Sequence, residues 1–138
     1  MTDLMNAMIT DLRRDEGERL KPYRDTVGKL TIGVGRNLDD VGLSSEESAY
    51  LLANDINKVL RQLDEKLPWW RGLCFNRQRV LINMAFNLGI AGLLGFKNTL
   101  AAVQAGQYDK AAEGMLSSKW ASQVGKRAVR LADLMRNG

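Results

Sequence analysis

Apolar residues recur at helical spacing from the start of the chain. Leu4, Met5, Met8, Ile9 and Leu12 form one stripe, which predicts a helix from about Thr2 to Glu16. Gly17 follows as its C-cap, since glycine takes the left-handed conformation that ends helices at little cost. The period then changes. Leu20 to Asp25 and Lys29 to Ile32 read as two short strands, joined by a turn at Thr26-Val27-Gly28. Gly33 and Gly35 lack the third glycine, lysine and helix start of a phosphate loop, so their expected role is close backbone packing.

The clearest helix runs from Ser45 to Lys66. Ser44 and Glu47 form a capping box ahead of it, Leu51, Leu52, Ile56, Val59, Leu60 and Leu63 supply the apolar stripe, and Pro68 stops it. At 1.5 Å per residue it is about 33 Å long. Helical patterns follow at Gln78 to Leu88 and Asn98 to Ala105, with "GIAGLLG" breaking the run between them. Two more amphipathic segments, "GQYDKAAEGMLSS" and "GKRAVRLADLMRNG", flank Lys119-Trp120. The predicted class is α+β, mostly helical, in one domain over residues 1–138. Within it, a small hairpin-containing lobe spans about 14–50 and a connecting helix about 45–66. The helical lobe takes about 1–13 plus 55–138, with the first helix packed on it.

Composition narrows the chemistry. A chain of 138 residues, 45% hydrophobic and 26% charged, builds one core and is short for two independent domains. No apolar run approaches the roughly 20 residues of a membrane-spanning helix, and the acids in "MTDLMNAMITDLRR" do not read as a signal peptide. Synthesis in a cytoplasm is the expectation. Cys74 is the only cysteine, which rules out an internal disulfide and predicts a buried structural thiol. There is no histidine, so Ser-His-Asp triads and histidine metal sites are excluded. Acid–base catalysis must come from carboxyl groups, tyrosine or lysine. The net charge of +4 fits plain solubility, nucleic acid or an anionic cell wall as partner. No aromatic-interleaved RNA-binding strand accompanies it.

Glycoside hydrolysis commonly needs a protonated carboxyl to serve the leaving oxygen and an ionised carboxylate opposite. Glu16 suits the acid role at a helix C-terminus, where unpaired carbonyls disfavour negative charge, although nearby arginines oppose that effect. Asp25 ends the first strand and Thr31 lies on the second, so a hairpin could bring carboxylate and hydroxyl together around a water. Asp15 and Glu18 compete for the acid role on chemistry alone.

The motif "DEG", the spacing from Glu16 to Asp25 to Thr31, and "TIGVG" together resemble the catalytic signature of the phage-type lysozymes, the endolysin family. The resemblance continues through "INMAFNLGIAGLLGFKNTL", "YDKAAEGMLSSKW" and the region from Arg127 to Arg130, covering nearly the whole chain. It implies a lysozyme-like fold with an active-site cleft between two lobes. It implies a muramidase that cuts the β-1,4 bond between N-acetylmuramic acid and N-acetylglucosamine in peptidoglycan. By position Glu16 is the acid, Asp25 the second carboxylate and Thr31 the residue that helps place the water. Asn37, Phe86, Thr99 and Gly114 match substrate contacts, though Phe86 fits the core equally and Gly114 offers only backbone. Asn87, Trp120 and Arg127 match positions that support the glutamate, with Arg127 paired to Glu16 across the cleft.

The resemblance further implies a monomer with no metal, no cofactor, no nucleic-acid partner and no stable membrane insertion. Such a protein would be made in a host bacterial cytoplasm and reach the periplasm and cell wall through a holin-type pore. Two departures stand out. Only six residues lie between Asn37 and Ser44, which shortens the small lobe and its distal sugar subsites. Arg36 stands where the family often has histidine, and an ion pair from Arg36 to Asp55 is expected. The rival readings are a lytic transglycosylase on the same bond, a non-catalytic wall-binding or virion module, and a basic helical nucleic-acid binder.

Overall fold

The computed structural model describes residues 2–138 and divides into two compact units, one running to Tyr50 and the other from Leu51 to Gly138. In the first unit, α1 (Asp3–Glu16) is capped by Thr2, whose hydroxyl accepts from the Met5 N–H at 3.1 Å. Gly17 ends it at φ +72°, its N–H bonded to the Arg13 carbonyl. Three antiparallel strands follow in the order β1 (Arg19–Arg24), β2 (Leu30–Gly33) and β3 (Arg36–Asn37). The register of β1 on β2 slips between Arg19 and Tyr23. Pro22, which has no N–H for a ladder, falls in that irregular part of an edge strand.

The third strand is absent from the hydrophobic pattern, because two residues carry no readable period. Gly33 and Gly35 explain it. Both have φ +68°, and with Val34 they turn β2 back into β3 so that Thr31 faces Asn37 across the ladder. Such a turn is open to glycine and strained for other residues.

α2 (Ser45–Lys66) has the bounds that its sequence predicts, and the unit boundary falls within it. The capping box is closed in both directions: Ser44 N–H donates to Glu47 Oε1 at 2.8 Å and Glu47 N–H to Ser44 Oγ at 3.1 Å. Arg36 also reaches Glu47, at 2.8 and 2.7 Å, so its ion-pair partner is Glu47 and not the expected Asp55 two turns further along α2. One carboxylate serves both, since Oε1 takes the cap and one guanidinium nitrogen while Oε2 takes the other.

The second unit continues with a 3-10 turn at Trp70–Gly72, then α3 (Phe75–Leu94), α4 (Lys97–Gln104), α5 (Tyr108–Leu116), α6 (Lys119–Val124) and α7 (Lys126–Asn137). The expected break after Leu88 is a kink at Gly89, where φ is +77°, and the helix then resumes to Leu94. α6 was not legible as a helix: six residues are under two turns, although Ser118 caps it by accepting from the Ala121 N–H at 3.2 Å. The core lies here. Leu63, Trp70, Val80, Leu81, Met84, Leu93, Val103, Met115 and Met135 are its largest fully buried side chains. Among the described residues every buried apolar side chain lies at Val59 or later, and in the first unit only Thr31 is buried. Cys74 corrects the expectation of a buried thiol. It is exposed as the N-cap of α3, where the chain enters a helix at the surface, and its sulfur accepts from Arg77 at 3.7 Å. Among the described residues no single helix is long and apolar enough to cross a membrane.

Candidate active site

Glu16 is the last residue of α1, placed there by the Gly17 cap. Its carboxylate lies against the backbone of Gly35: a Cβ at that glycine would stand 3.1 Å from Oε2 and 3.2 Å from Cδ. The second glycine of the turn thus makes room for Glu16 as well as supplying the positive φ. The neighbouring arginines are directed elsewhere. Arg13 sits 3.8 Å from Glu18, and Arg14 lies 3.1 Å from Asp15 and 3.6 Å from Asp11. The two carboxylates that compete with Glu16 on chemistry are therefore each beside a guanidinium. Glu16 itself has no ion pair among the described residues, and it remains exposed.

Asp25 has a divided carboxylate. Oδ1 accepts from the Val27 N–H at 3.0 Å and from the Lys29 N–H at 2.8 Å, closing the β1–β2 turn. The backbone seals the same turn, Asp25 N–H donating to Lys29 O and Gly28 N–H to Asp25 O. Oδ2 takes no hydrogen bond among the described residues. The Thr31 side chain is buried on the central strand, and its hydroxyl donates to the Lys29 carbonyl at 2.9 Å. Lys29 thus links the two: its N–H holds Asp25 and its carbonyl holds Thr31. With its proton spent on Lys29, Thr31 Oγ can only accept from a further partner.

Asn37 is brought to this sheet opposite Thr31, but both ends of its amide already serve the following loop. Nδ2 donates to Asp40 at 3.0 Å and Oδ1 accepts from the Asp40 N–H at 2.9 Å.

The remaining positions lie in the second unit. Phe86 on α3 is 43% exposed, so it is not a core residue. It lines a groove of about 300 Å³ with Leu52, Ile56, Arg79, Ile82, Asn83 and Arg127. Two of the three supporting residues meet: Trp120, buried and edge-on to Phe96, donates its indole N–H to Asn87 Oδ1 at 2.8 Å. Arg127 is fixed by Nε donating to Asn83 Oδ1 at 2.9 Å, a partner that the sequence reading did not single out. The "INM" run that contains Asn83 was its only signal. Thr99 on α4 and Gly114 on α5 are in contact, since a Cβ at Gly114 would stand 2.5 Å from the Thr99 hydroxyl. Among the described residues no cluster of histidine, cysteine and acidic side chains is placed to hold a metal ion.

Compared with known proteins, residues 13–136 match the family model for phage lysozyme. The chain is 31% identical, over 96% of its own length, to the pre-baseplate central spike protein Gp5 of Enterobacteria phage T4, and spans 28% of that protein. It is 28% identical to the probable T4-type lysozyme 2 of Dictyostelium discoideum, covering 98% of this chain and 96% of that one. With the endolysin of Salmonella phage P22 it shares 30% identity over 89% of this chain and 88% of the other.

Proposed function

The chain belongs to the phage lysozyme family, and from that premise we propose that it is a muramidase, hydrolysing the β-1,4 bond between N-acetylmuramic acid and N-acetylglucosamine in peptidoglycan. The observation that carries the proposal is the split use of Asp25, one oxygen locked in the turn and the other without a hydrogen bond among the described residues, with Lys29 bonded to both Asp25 and Thr31. Glu16 gives its proton to the glycosidic oxygen as the bond to the anomeric carbon breaks. A water donates one hydrogen to Thr31 Oγ and the other to Asp25 Oδ2. As the water attacks the anomeric carbon, Asp25 takes its proton, and the sugar leaves with a new hydroxyl. Asn37, Phe86, Thr99 and Gly114 contact the glycan in this reading. Asn87, Trp120 and Arg127 are the supporting residues in this reading. No metal or cofactor enters the reaction.

The protein acts as a monomeric phage or prophage endolysin, made in the host cytoplasm and passed to the wall through a holin-type pore. A virion-borne role is the second reading, favoured by similarity along 96% of the chain to part of a spike protein. Product analysis of digested peptidoglycan tests the reaction. Reducing ends are expected; anhydro ends would assign a lytic transglycosylase, and no cleavage would leave only wall binding. Glu16→Gln should lower the rate by about 10²- to 10⁴-fold, the usual worth of a general acid, whereas Glu18→Gln should change it little. The reverse pattern would place the acid at Glu18.

A further inference from the structure

The peptide plane between Lys29 and Leu30 is held from both sides. Its carbonyl, on Lys29, accepts from the Asp25 N–H and from the Thr31 hydroxyl, each at 2.9 Å. Its N–H, on Leu30, points the opposite way, as a trans peptide requires. That side faces β3, which ends at Asn37. Beyond it the Leu38 N–H still donates to Leu30 O at 2.7 Å. The Leu30 N–H donates to Asp39 Oδ2 at 2.8 Å, so a carboxylate extends the ladder past the last residue of the strand. Asp40, next in sequence, is used differently. Its carboxylate accepts from the Lys29 ammonium at 3.2 Å and from the Asn37 amide at 3.0 Å. Of the two acids, Asp39 is the one bonded to the peptide plane.

The consequence reaches Thr31. A hydroxyl proton follows its acceptor, and the acceptor here is a carbonyl whose plane can pivot only if the bond on its far side gives way. An anionic acceptor on the N–H also polarises the peptide toward its oxygen. Such relays strengthen the next bond by about 10–30%. With the Thr31 proton directed at Lys29, the Oγ lone pairs are what remains for a further donor. We infer that Asp39 is a positioning residue: through the Lys29–Leu30 peptide it fixes the Thr31 hydroxyl in the orientation that accepts a hydrogen from the attacking water. Its route is the backbone rather than a contact with that water. The part played by the water rests on the muramidase reading; the seating of Thr31 does not.

Two measurements test the inference, and the first needs no turnover. Three-bond couplings to Thr31 Cγ2, read by NMR on the full chain, report its χ1 rotamer. One rotamer is expected in the unmodified protein and averaging among rotamers in Asp39→Ala. The Leu30 amide proton should move upfield in Asp39→Ala and, by less, in Asp39→Asn, which keeps an oxygen and loses only the charge. A single Thr31 rotamer in folded Asp39→Ala would overturn the inference. The second measurement is a double-mutant cycle on kcat for peptidoglycan, crossing Asp39→Asn with Thr31→Val. Alone, Asp39→Asn should lower kcat about five- to tenfold, the worth of one ordinary hydrogen bond in the barrier, with KM little changed. On the Thr31→Val background it should cost nothing further, because the group it acts through is gone. A fully additive loss, or a loss confined to KM, would show a general loosening of the loop and overturn the inference. Reducing ends from the unmodified protein would leave the muramidase standing in either case. Their absence would sink that reading alone, with the couplings still deciding whether Asp39 seats Thr31.

Discussion

In the proposed mechanism Asp25 performs two tasks on two oxygens, so substitutions can separate them. Asp25→Asn keeps an oxygen to accept from Val27 and Lys29, and replaces only the oxygen assigned to the water. Hydrolysis should fall by orders of magnitude while the unfolding midpoint barely moves. Asp25→Ala removes both turn bonds as well and should cost about 1–3 kcal/mol in addition, the range for two partly exposed hydrogen bonds. Equal melting of the two variants would show that the turn does not depend on the carboxylate. Gly35 offers the converse test. Gly35→Ala forces an L side chain into φ +68° and pushes on the Glu16 carboxylate. The backbone strain should cost about 1–2 kcal/mol, and turnover should drop further than stability alone explains. Full specific activity of the folded variant would mean that Glu16 tolerates a shift. Glu16, Asp25 and Thr31 could be singled out through the resemblance that their spacing carries, whereas the use of Gly35 to seat Glu16 could not be read. A glycine announces conformational freedom in a sequence, but not which side chain occupies the space beside it.

At the scale of elements, length decided what could be read. α2 was legible to the residue because a cap, six apolar positions and a proline all agreed on it. β3 and α6 were not, because two and six residues complete too little of any period. The Arg36 partner was misplaced for a different reason. Glu47 had already been given to the capping box, yet a carboxylate with two oxygens accommodates a cap and a guanidinium together. Hydrogen bonding from Arg36, followed by the bonds to Ser44, lowers the Glu47 pKa from 4.5 to about 2. A group whose pKa is depressed on folding stabilises the fold above its unfolded value and loses that contribution as pH falls through the folded one. The stability advantage of the unmodified chain over Glu47→Gln should therefore be constant above about pH 4.5 and shrink between there and about pH 2. Denaturant melts across that range measure it. A difference that stays flat to the acid end would refute the Arg36–Glu47 pair. Ser44→Ala should cost about 1 kcal/mol through loss of the cap.

For the molecule as a whole, charge and core are unevenly shared. Up to Tyr50 there are seven basic and ten acidic residues; from Leu51 there are thirteen and six. The overall charge of +4 thus conceals a first unit at −3 and a second at +7, a division invisible until the boundary is known. Under the proposed function, attraction to an anionic wall belongs to the second unit. The apolar core belongs there too, while the assigned carboxylates sit where only Thr31 is buried. A stretch of about 50 residues is of marginal size for folding alone, and one without buried apolar side chains falls below that margin. A fragment of residues 51–138 should keep cooperative thermal unfolding by circular dichroism, and a fragment of residues 1–50 should show none. A sharp melt from the shorter fragment would disprove the assignment. The same confinement of the core ranks the backbone amides. Those of Leu81, Met84 and Met135 should exchange with solvent only through global unfolding, while those of the hairpin around Asp25 exchange through smaller openings of lower free energy. Under the proposed function, slow warming should then lower catalytic output, reversibly, at temperatures where the helical signal is still intact. Heat should silence the chemistry before it melts the protein.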